Sequence, residues 1–280
     1  TATTEIYTLS LHAALPIWVA RIKAMKPDYI FSFYYRSLIG KELLAIPSKG
    51  ALNLHGSLLP KYRGCAPINW AVINGEKETG VTLHVMTEKV DAGDIVAQKK
   101  ISIGANDTAK DVHLKAAKAA AELLAAELPK LAKAKTKVKG KKQNEKEATY
   151  FGKRKPADGA IDWTRSAADV RNLVRGVTRP YPGAFSFFGD KKYLIWDVSE
   201  VKLPAKSAKA KPGTILSTEP LTIACGSGAV KVNFAQTANG LYSSGEQLVK
   251  DCRLVQKMQF VSDPAALRPK RKKSILILGV

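Results

Sequence analysis

The sequence predicts an α/β protein in two parts, an open sheet interleaved with helices and then a small β-barrel. Three observations carry this expectation. Strand-like apolar runs alternate with helix-like segments as far as about residue 128, a Lys-rich stretch with almost no large apolar side chains follows, and beyond Thr149 short strands are separated by Gly and Pro. The 280 residues, 45% of them hydrophobic, are enough for about two domains with ordinary cores.

Taken in order, residues 18–25 read as a short helix and residues 28–34 as an apolar strand rich in aromatic side chains. A helix closes over residues 43–46 before Pro47, and residues 50–55 form the next strand. Residues 67–73 read as a helix stopped by Asn74-Gly75, and residues 81–86 and 95–103 as further strands. Thr108 with Asp111 three residues on resembles a capping box, opening an Ala-rich helix that runs to about Leu128, just before Pro129. In the second part a helix over residues 167–176 precedes strands over residues 184–188, 193–198, 213–217, 221–225 and 230–234.

The net charge is +21, from 45 Lys and Arg against 24 Asp and Glu. Such a balance ordinarily suggests a nucleic acid or an anionic surface. Here it is concentrated: residues 130–155 hold eleven Lys or Arg against two Glu, and residues 268–273 add five basic residues and no acid. Runs of that kind read as solvated linkers, so nucleic acid is not the expected partner, although the charge also suits the steering of a polyanion such as a nucleotide diphosphate. No apolar run reaches the roughly 18 residues of a membrane span. Cys65, Cys225 and Cys252 show no CxxC spacing, and His12, His55, His84 and His113 lack ligand-like companions. Neither a disulfide framework nor a metal site is expected, and a cytoplasmic setting fits. His84, inside a strand, reads as structural.

The chemistry concentrates in Asn53-Leu54-His55-Gly56-Ser57-Leu58-Leu59-Pro60-Lys61-Tyr62-Arg63-Gly64. In a strand residues i and i+2 point to one face, so Asn53 and His55 project side by side. A neutral imidazole can take a proton from an attacking group near pH 7, and an amide NH2 can donate to an oxyanion. The pair suits acyl transfer; the bland alternative is a pair of satisfied core polar groups. Tyr62 and Arg63 fit either an approach to substrate or an ordinary exposed turn.

That string, together with Gly80-Val81-Thr82-Leu83-His84-Val85-Met86-Thr87-Glu88-Lys89-Val90-Asp91-Ala92-Gly93-Asp94-Ile95, closely resembles the formyltetrahydrofolate-dependent formyltransferase family. Family members carry an Asn-x-His pair, a Ser-Leu-Leu-Pro-x-x-Arg-Gly turn and a later Asp-x-Gly, and all three occur here in order. The resemblance runs from about Trp18 and includes Phe31-Ser32-Phe33-Tyr34-Tyr35-Arg36 and Arg179-Pro180-Tyr181-Pro182-Gly183-Ala184-Phe185. Gly56 after the His, and a terminal Ser274-Ile275-Leu276-Ile277-Leu278-Gly279-Val280 run, are most similar to the formyltransferase part of the bifunctional bacterial enzymes of polymyxin resistance. Methionyl-tRNA formyltransferases usually look like His-Pro-Ser there.

The resemblance implies a partial Rossmann-like formyltransferase domain followed by a small OB-like β-barrel. It implies transfer of formyl from 10-formyltetrahydrofolate to a UDP-4-amino-4-deoxy-L-arabinose-type sugar nucleotide in lipid A modification, with a homo-oligomer as the full-length state. His55 becomes the acid/base, Asn53 the oxyanion donor and Asp91 the carboxylate that raises the His pKa; by itself Asp91 before Ala-Gly equally fits turn chemistry. Folate contacts fall on Ser37, Leu38 and Ile39, on Thr87, Glu88, Lys89, Val90 and Asp91, and at Cys65, where relatives carry an Arg. Leu38 and Ile39 also fit plain core packing. The implied division is residues 18–132 for the catalytic domain lacking its first strand-helix units, 133–148 for a basic connector, 149–256 for the barrel and 257–273 for a linker. Residues 274–280 would open a further, NAD-binding domain, and residues 1–17 look foreign to the family. The alternatives are a methionyl-tRNA formyltransferase, or an inactive fragment or RNA-binding module using the basic connector.

Overall fold

The computed structural model describes residues 16–35, 38–202, 207, 209–237, 240 and 242–263. The described residues fall into two compact units. The first holds those up to Ile68 with Glu78–Ser102 and His113–Lys153, the second Asn69–Lys77, Ile103–Val112 and those from Arg154 onward.

The described residues begin with α1 (Pro16–Met25), β1 (Tyr29–Phe33), α2 (Lys41–Leu44) and β2 (Gly50–His55). There follow β3 (Arg63–Gly64), α3 (Pro67–Ile73), β4 (Glu78–Val85), β5 (Ile95–Ser102), α4 (Ala109–Lys133) and β6 (Tyr150–Phe151). The first unit is built on a mixed sheet in the order β1-β2-β4-β5, with β1 and β2 parallel and the other pairs antiparallel. With a neighbour on both sides, as β4 also has, and with Leu52 fully buried, β2 is the rigid element from which Asn53 and His55 project. The expected capping box opens α4: the Thr108 amide donates to Asp111 Oδ2 at 2.9 Å, and the Asp111 amide to Thr108 Oγ1 at 3.3 Å. The sequence ends this helix before Pro129, but it continues to Lys133. Pro129 removes one helical donor, while the last turn gains the burial of Leu131 and a 3.0 Å bond from Tyr29 Oη to the Leu131 carbonyl.

The connector is less free than its composition suggests. Its Lys side chains are largely exposed, but the Val138 amide donates to the Lys49 carbonyl at 2.8 Å, and Lys141 exchanges two 2.8 Å backbone bonds with Ile95. The chain then runs into β6, which pairs in parallel with β3. Backbone pairing needs no apolar side chain, which is why composition alone reads this stretch as a loose join.

In the second unit come α5 (Ala167–Val177), β7 (Ala184–Phe188), β8 (Lys191–Val201), β9 (Ile215–Thr218), β10 (Leu221–Ala224), β11 (Ala229–Gln236), β12 (Tyr242–Ser244) and α6 (Gly245–Cys252). The antiparallel sheet runs β7-β8-β11-β10-β9, with β12 added to β11. Residues 257–261, assigned to a linker by the sequence, complete the ring of strands. Phe187 and Val261 exchange two bonds of 2.8 and 2.9 Å on the β7 side, and Ile215 exchanges bonds with Met258 (2.8 Å) and Lys257 (2.9 Å) on the β9 side. Phe260 is carried inward to 2% exposure, among the rings of Trp163, Phe188 and Tyr193 at centroid distances of 6.4, 5.6 and 5.7 Å. The alternation Lys257-Met258-Gln259-Phe260 is only four residues long and its pairing is by isolated bridges, too short a signal to announce a strand.

Removing the Phe260 ring leaves a cavity in the middle of this cluster. Phe260→Ala is expected to cost about 3–5 kcal/mol of unfolding free energy, read as a lowered urea midpoint. A midpoint within error of the parent would show that the closing segment does not hold the barrel.

Candidate active site

Asn53 and His55 share one face of β2, as the strand period requires. The turn after β2 is pinned by its own polar groups. Thr82 Oγ1 donates to the Ser57 carbonyl at 2.6 Å and accepts from the Leu59 amide at 3.2 Å, while Ser57 Oγ donates to the Lys61 carbonyl at 2.6 Å. Tyr62 turns through a positive φ of 60°, and its ring stacks on Phe151 at 4.8 Å. Its carbonyl is thereby delivered to His55 Nε2 at 2.7 Å.

Asp91 arrives from the loop between β4 and β5, itself at a positive φ of 50°. Its Oδ2 accepts from the Gly64 amide at 2.8 Å and lies 3.5 Å from His55 Nδ1; its Oδ1 lies 3.5 Å from Asn53 Nδ2 and 3.5 Å from His84 Nε2. Gly64 is needed for this geometry. Its φ is +96°, and a Cβ there would stand 2.3 Å from the Phe151 carbonyl oxygen. Gly93 is equally constrained, since a Cβ would meet the Val85 carbonyl oxygen at 1.8 Å.

The proton positions follow from the partners. A ring nitrogen 2.7 Å from a carbonyl must donate, so His55 carries its hydrogen on Nε2, and the lone pair of Nδ1 faces Asp91. A second proton would therefore sit on Nδ1, beside the carboxylate. Burial to 7% exposure pushes His55 below its ordinary value; Asp91 and the Tyr62 carbonyl oppose this, and His84 adds to it. The sequence expects Asp91 to raise the His pKa, and it does pull that way, but desolvation wins. For Asp91 burial pulls upward, yet a bond from His84 in its protonated form, the nearby His55 and the Gly64 amide together hold its carboxyl below the ordinary range.

His84, read from the sequence as structural, belongs to this cluster. It pairs directly with Asn53 across the β2–β4 ladder. Its Nδ1 donates to the Val85 carbonyl at 2.9 Å, leaving Nε2 to accept from Asn53 Nδ2 at 3.2 Å. Strand register brings the two together, and no spacing along the chain announces it.

Arg63 is not an exposed turn residue. It is fully buried and places its guanidinium on Glu145 (2.9 and 2.7 Å), Gln143 (3.1 and 2.7 Å) and the Tyr150 hydroxyl. Of the residues implied as folate contacts, Leu38 is 75% and Val90 40% exposed, so neither is core packing. Ile39 and Cys65 are half-buried, Cys65 as a free thiol, and Thr87, Glu88 and Lys89 are exposed on the loop leading to Asp91. Ser37 lies outside the described residues, as does the run 274–280. Clefts of about 360 and 280 Å³ in the second unit include none of Asn53, His55 and Asp91.

A neutral imidazole, an amide and a carboxylate converging at the end of a strand are the parts of a group-transfer enzyme on an α/β sheet. The family model described as formyl transferase matches residues 11–128, and the model for the formyl transferase C-terminal domain matches residues 153–253. The chain belongs to the formyl transferase family. The match begins seven residues before Trp18, inside the segment that the sequence resemblance leaves out.

Among solved structures the fold is similar to HypX from Aquifex aeolicus in complex with tetrahydrofolic acid, with a TM-score of 0.60 and 21% identity over 84% of this chain and 40% of that one. It is also similar to the N-formyltransferase from Helicobacter canadensis in complex with folinic acid and dTDP-3-aminofucose, with a TM-score of 0.58 and 22% identity over 74% of this chain and 72% of that one. Methionyl-tRNA formyltransferase from Clostridium thermocellum gives a TM-score of 0.54 and 23% identity over 65% of this chain and 77% of that one. The chain thus spans about two fifths of the length of HypX.

The depressed His55 value makes stability depend on pH. The unfolded chain, with His near 6.5, binds protons that the folded chain refuses, so stability is full above about pH 6.5 and falls as pH drops below it. Urea midpoints should decline from pH 7.5 to 5.5 and decline less in His55→Gln. His113, also lowered by burial, supplies part of the remaining slope, so the His55→Gln/His113→Gln double variant should be flatter still. Asp91 titrates below this window.

Proposed function

We propose that Asn53, His55 and Asp91 form the catalytic group of a formyltransferase that moves a formyl group from 10-formyltetrahydrofolate to the amine of a UDP-4-amino-4-deoxy-L-arabinose-type sugar nucleotide, in lipid A modification. The observation that carries the reading is the placement of the Asp91 carboxylate 3.5 Å from both His55 Nδ1 and Asn53 Nδ2, in a chain of this family.

In this reading the amine nitrogen attacks the formyl carbon, and the carbonyl oxygen becomes an oxyanion that accepts from the Asn53 amide. The proton lost by the amine goes to His55 Nδ1, where Asp91 stabilises the imidazolium. The same proton then passes to the folate nitrogen as the carbon–nitrogen bond to the folate breaks, which returns His55 to neutrality. A histidine held neutral by burial starts the cycle in the state that can accept. Exposed Leu38 and Val90 offer apolar surface of the kind a pteridine or benzoyl ring covers, and Cys65 replaces the cation that relatives place at that site.

A sugar-nucleotide acceptor is favoured by His55-Gly56-Ser57 and by the solved relative described with dTDP-3-aminofucose. Competing assays with UDP-4-amino-4-deoxy-L-arabinose and charged initiator tRNA should show formylation of the sugar nucleotide. Preference for the tRNA would sink the sugar assignment. His55→Ala and Asn53→Ala should each lower turnover by roughly 10²-fold or more with little loss of fold, and a folded His55→Ala protein with near-parental turnover would remove the acid/base role.

A further inference from the structure

Asp91 sits on an exposed loop at a backbone conformation that L side chains seldom adopt, and its carboxylate contacts to Asn53, His55 and His84 are all 3.5 Å long. Contacts of that length do not fix a loop. The Gly64 amide holds the carboxylate at 2.8 Å, and two further strong bonds, on the backbone of the loop, come from the connector. Gln143 Nε2 donates to the Asp91 carbonyl at 2.8 Å and to the Gly93 carbonyl at 2.7 Å, one amide hydrogen to each side of the Asp-Ala-Gly turn. Gln143 Oε1 in turn accepts from Arg63 Nε at 3.1 Å and Nη2 at 2.7 Å. With all four of these bonds made, the amide has one orientation only.

Arg63 is suited to hold it. Its remaining hydrogens go to Glu145 and the Tyr150 hydroxyl, so the guanidinium is saturated and cannot swing away. The chain of contacts starts at a fully buried cation beside β2's turn, passes through one amide and ends on the backbone of the residue that faces His55.

We propose that Gln143 is a positioning residue for the catalytic carboxylate: held by Arg63, it clamps the carbonyls of Asp91 and Gly93 and, with the Gly64 amide on the carboxylate, sets the distance from Asp91 to His55. The proposal deepens the formyl-transfer reading and rests on it for the word catalytic. The clamp itself is a matter of geometry and can be tested apart from it.

Gln143→Glu separates holding from clamping. A carboxylate of the same size still accepts from Arg63, and more strongly, but it has no hydrogen for the two carbonyls and repels them. In the full chain, the His55 imidazole is titrated by two-dimensional NMR of ¹⁵N-labelled protein, with His55→Gln used to assign its signals. His55 is faced by Asp91, by the Tyr62 carbonyl and by His84. Withdrawal of Asp91 removes the charge that favours its protonated form, so Gln143→Glu should titrate His55 at lower pH than the parent in spite of its added carboxylate, with a urea midpoint at pH 7.5 lowered less than in Arg63→Ala. In formyl-transfer assays kcat should fall about 10-fold while KM for the folate stays within about twofold, and Gln143→Asn should recover neither. A parental His55 titration in Gln143→Glu overturns the proposal whatever the enzyme's substrate. Loss of the urea midpoint equal to that of Arg63→Ala would also overturn it, because Gln143 would then serve only the fold. Absence of formyl transfer by the parent protein defeats the functional reading while leaving the titration result standing.

Discussion

The site depends on a carboxylate kept charged while largely out of water. Burial works against ionised Asp91, and the charge survives because the Gly64 N–H donates to it at 2.8 Å and the two imidazoles beside it favour the carboxylate whenever they carry a proton towards it. Much of the local structure answers that demand. The left-handed glycine at position 64 aims its N–H at Oδ2, the positive φ of Asp91 turns the carboxylate inward, and the β2–β4 register puts His84 opposite Asn53.

The two histidines serve different ends. His55 is wedged between a carbonyl that takes its hydrogen and a carboxylate that would welcome a second one, in surroundings too dry to grant it freely. That balance keeps the ring neutral yet ready to take a proton as a reaction develops charge, which is the condition for general-base work near pH 7. His84 has one nitrogen committed to its own strand's backbone and the other to Asn53, so it orients an amide.

The basic connector shows how charge and order can coexist. Its lysines face water and contribute to the +21 net charge, while between them Val138, Gln143 and Glu145 are tied to the first unit. A stretch that resembles a spacer thereby becomes part of the scaffold beneath the Asp91 loop. Arg63 makes this possible: a planar five-donor cation gives two bonds to an amide, two to a carboxylate and one to a phenol at once, where lysine has three to give.

Local chemistry was legible in the sequence. Period-2 alternation placed Asn53 and His55 on one face, Thr108 and Asp111 capped a helix, the Gly- and Pro-punctuated strands announced the barrel, and the ordered motifs identified the family; each of these is written in residue types and their order along the chain. Whatever depends on which segments meet was decided only in three dimensions. His84 joins the site through strand register, Arg63 finds partners some 80 residues away, residues 257–261 close the barrel by isolated bridges, and the direction of the His55 shift rests on how much water packing removes. The physical reason is common to all four. Backbone bonds and desolvation are made with whatever the fold brings near, and a linear string records the residue types but not their distances.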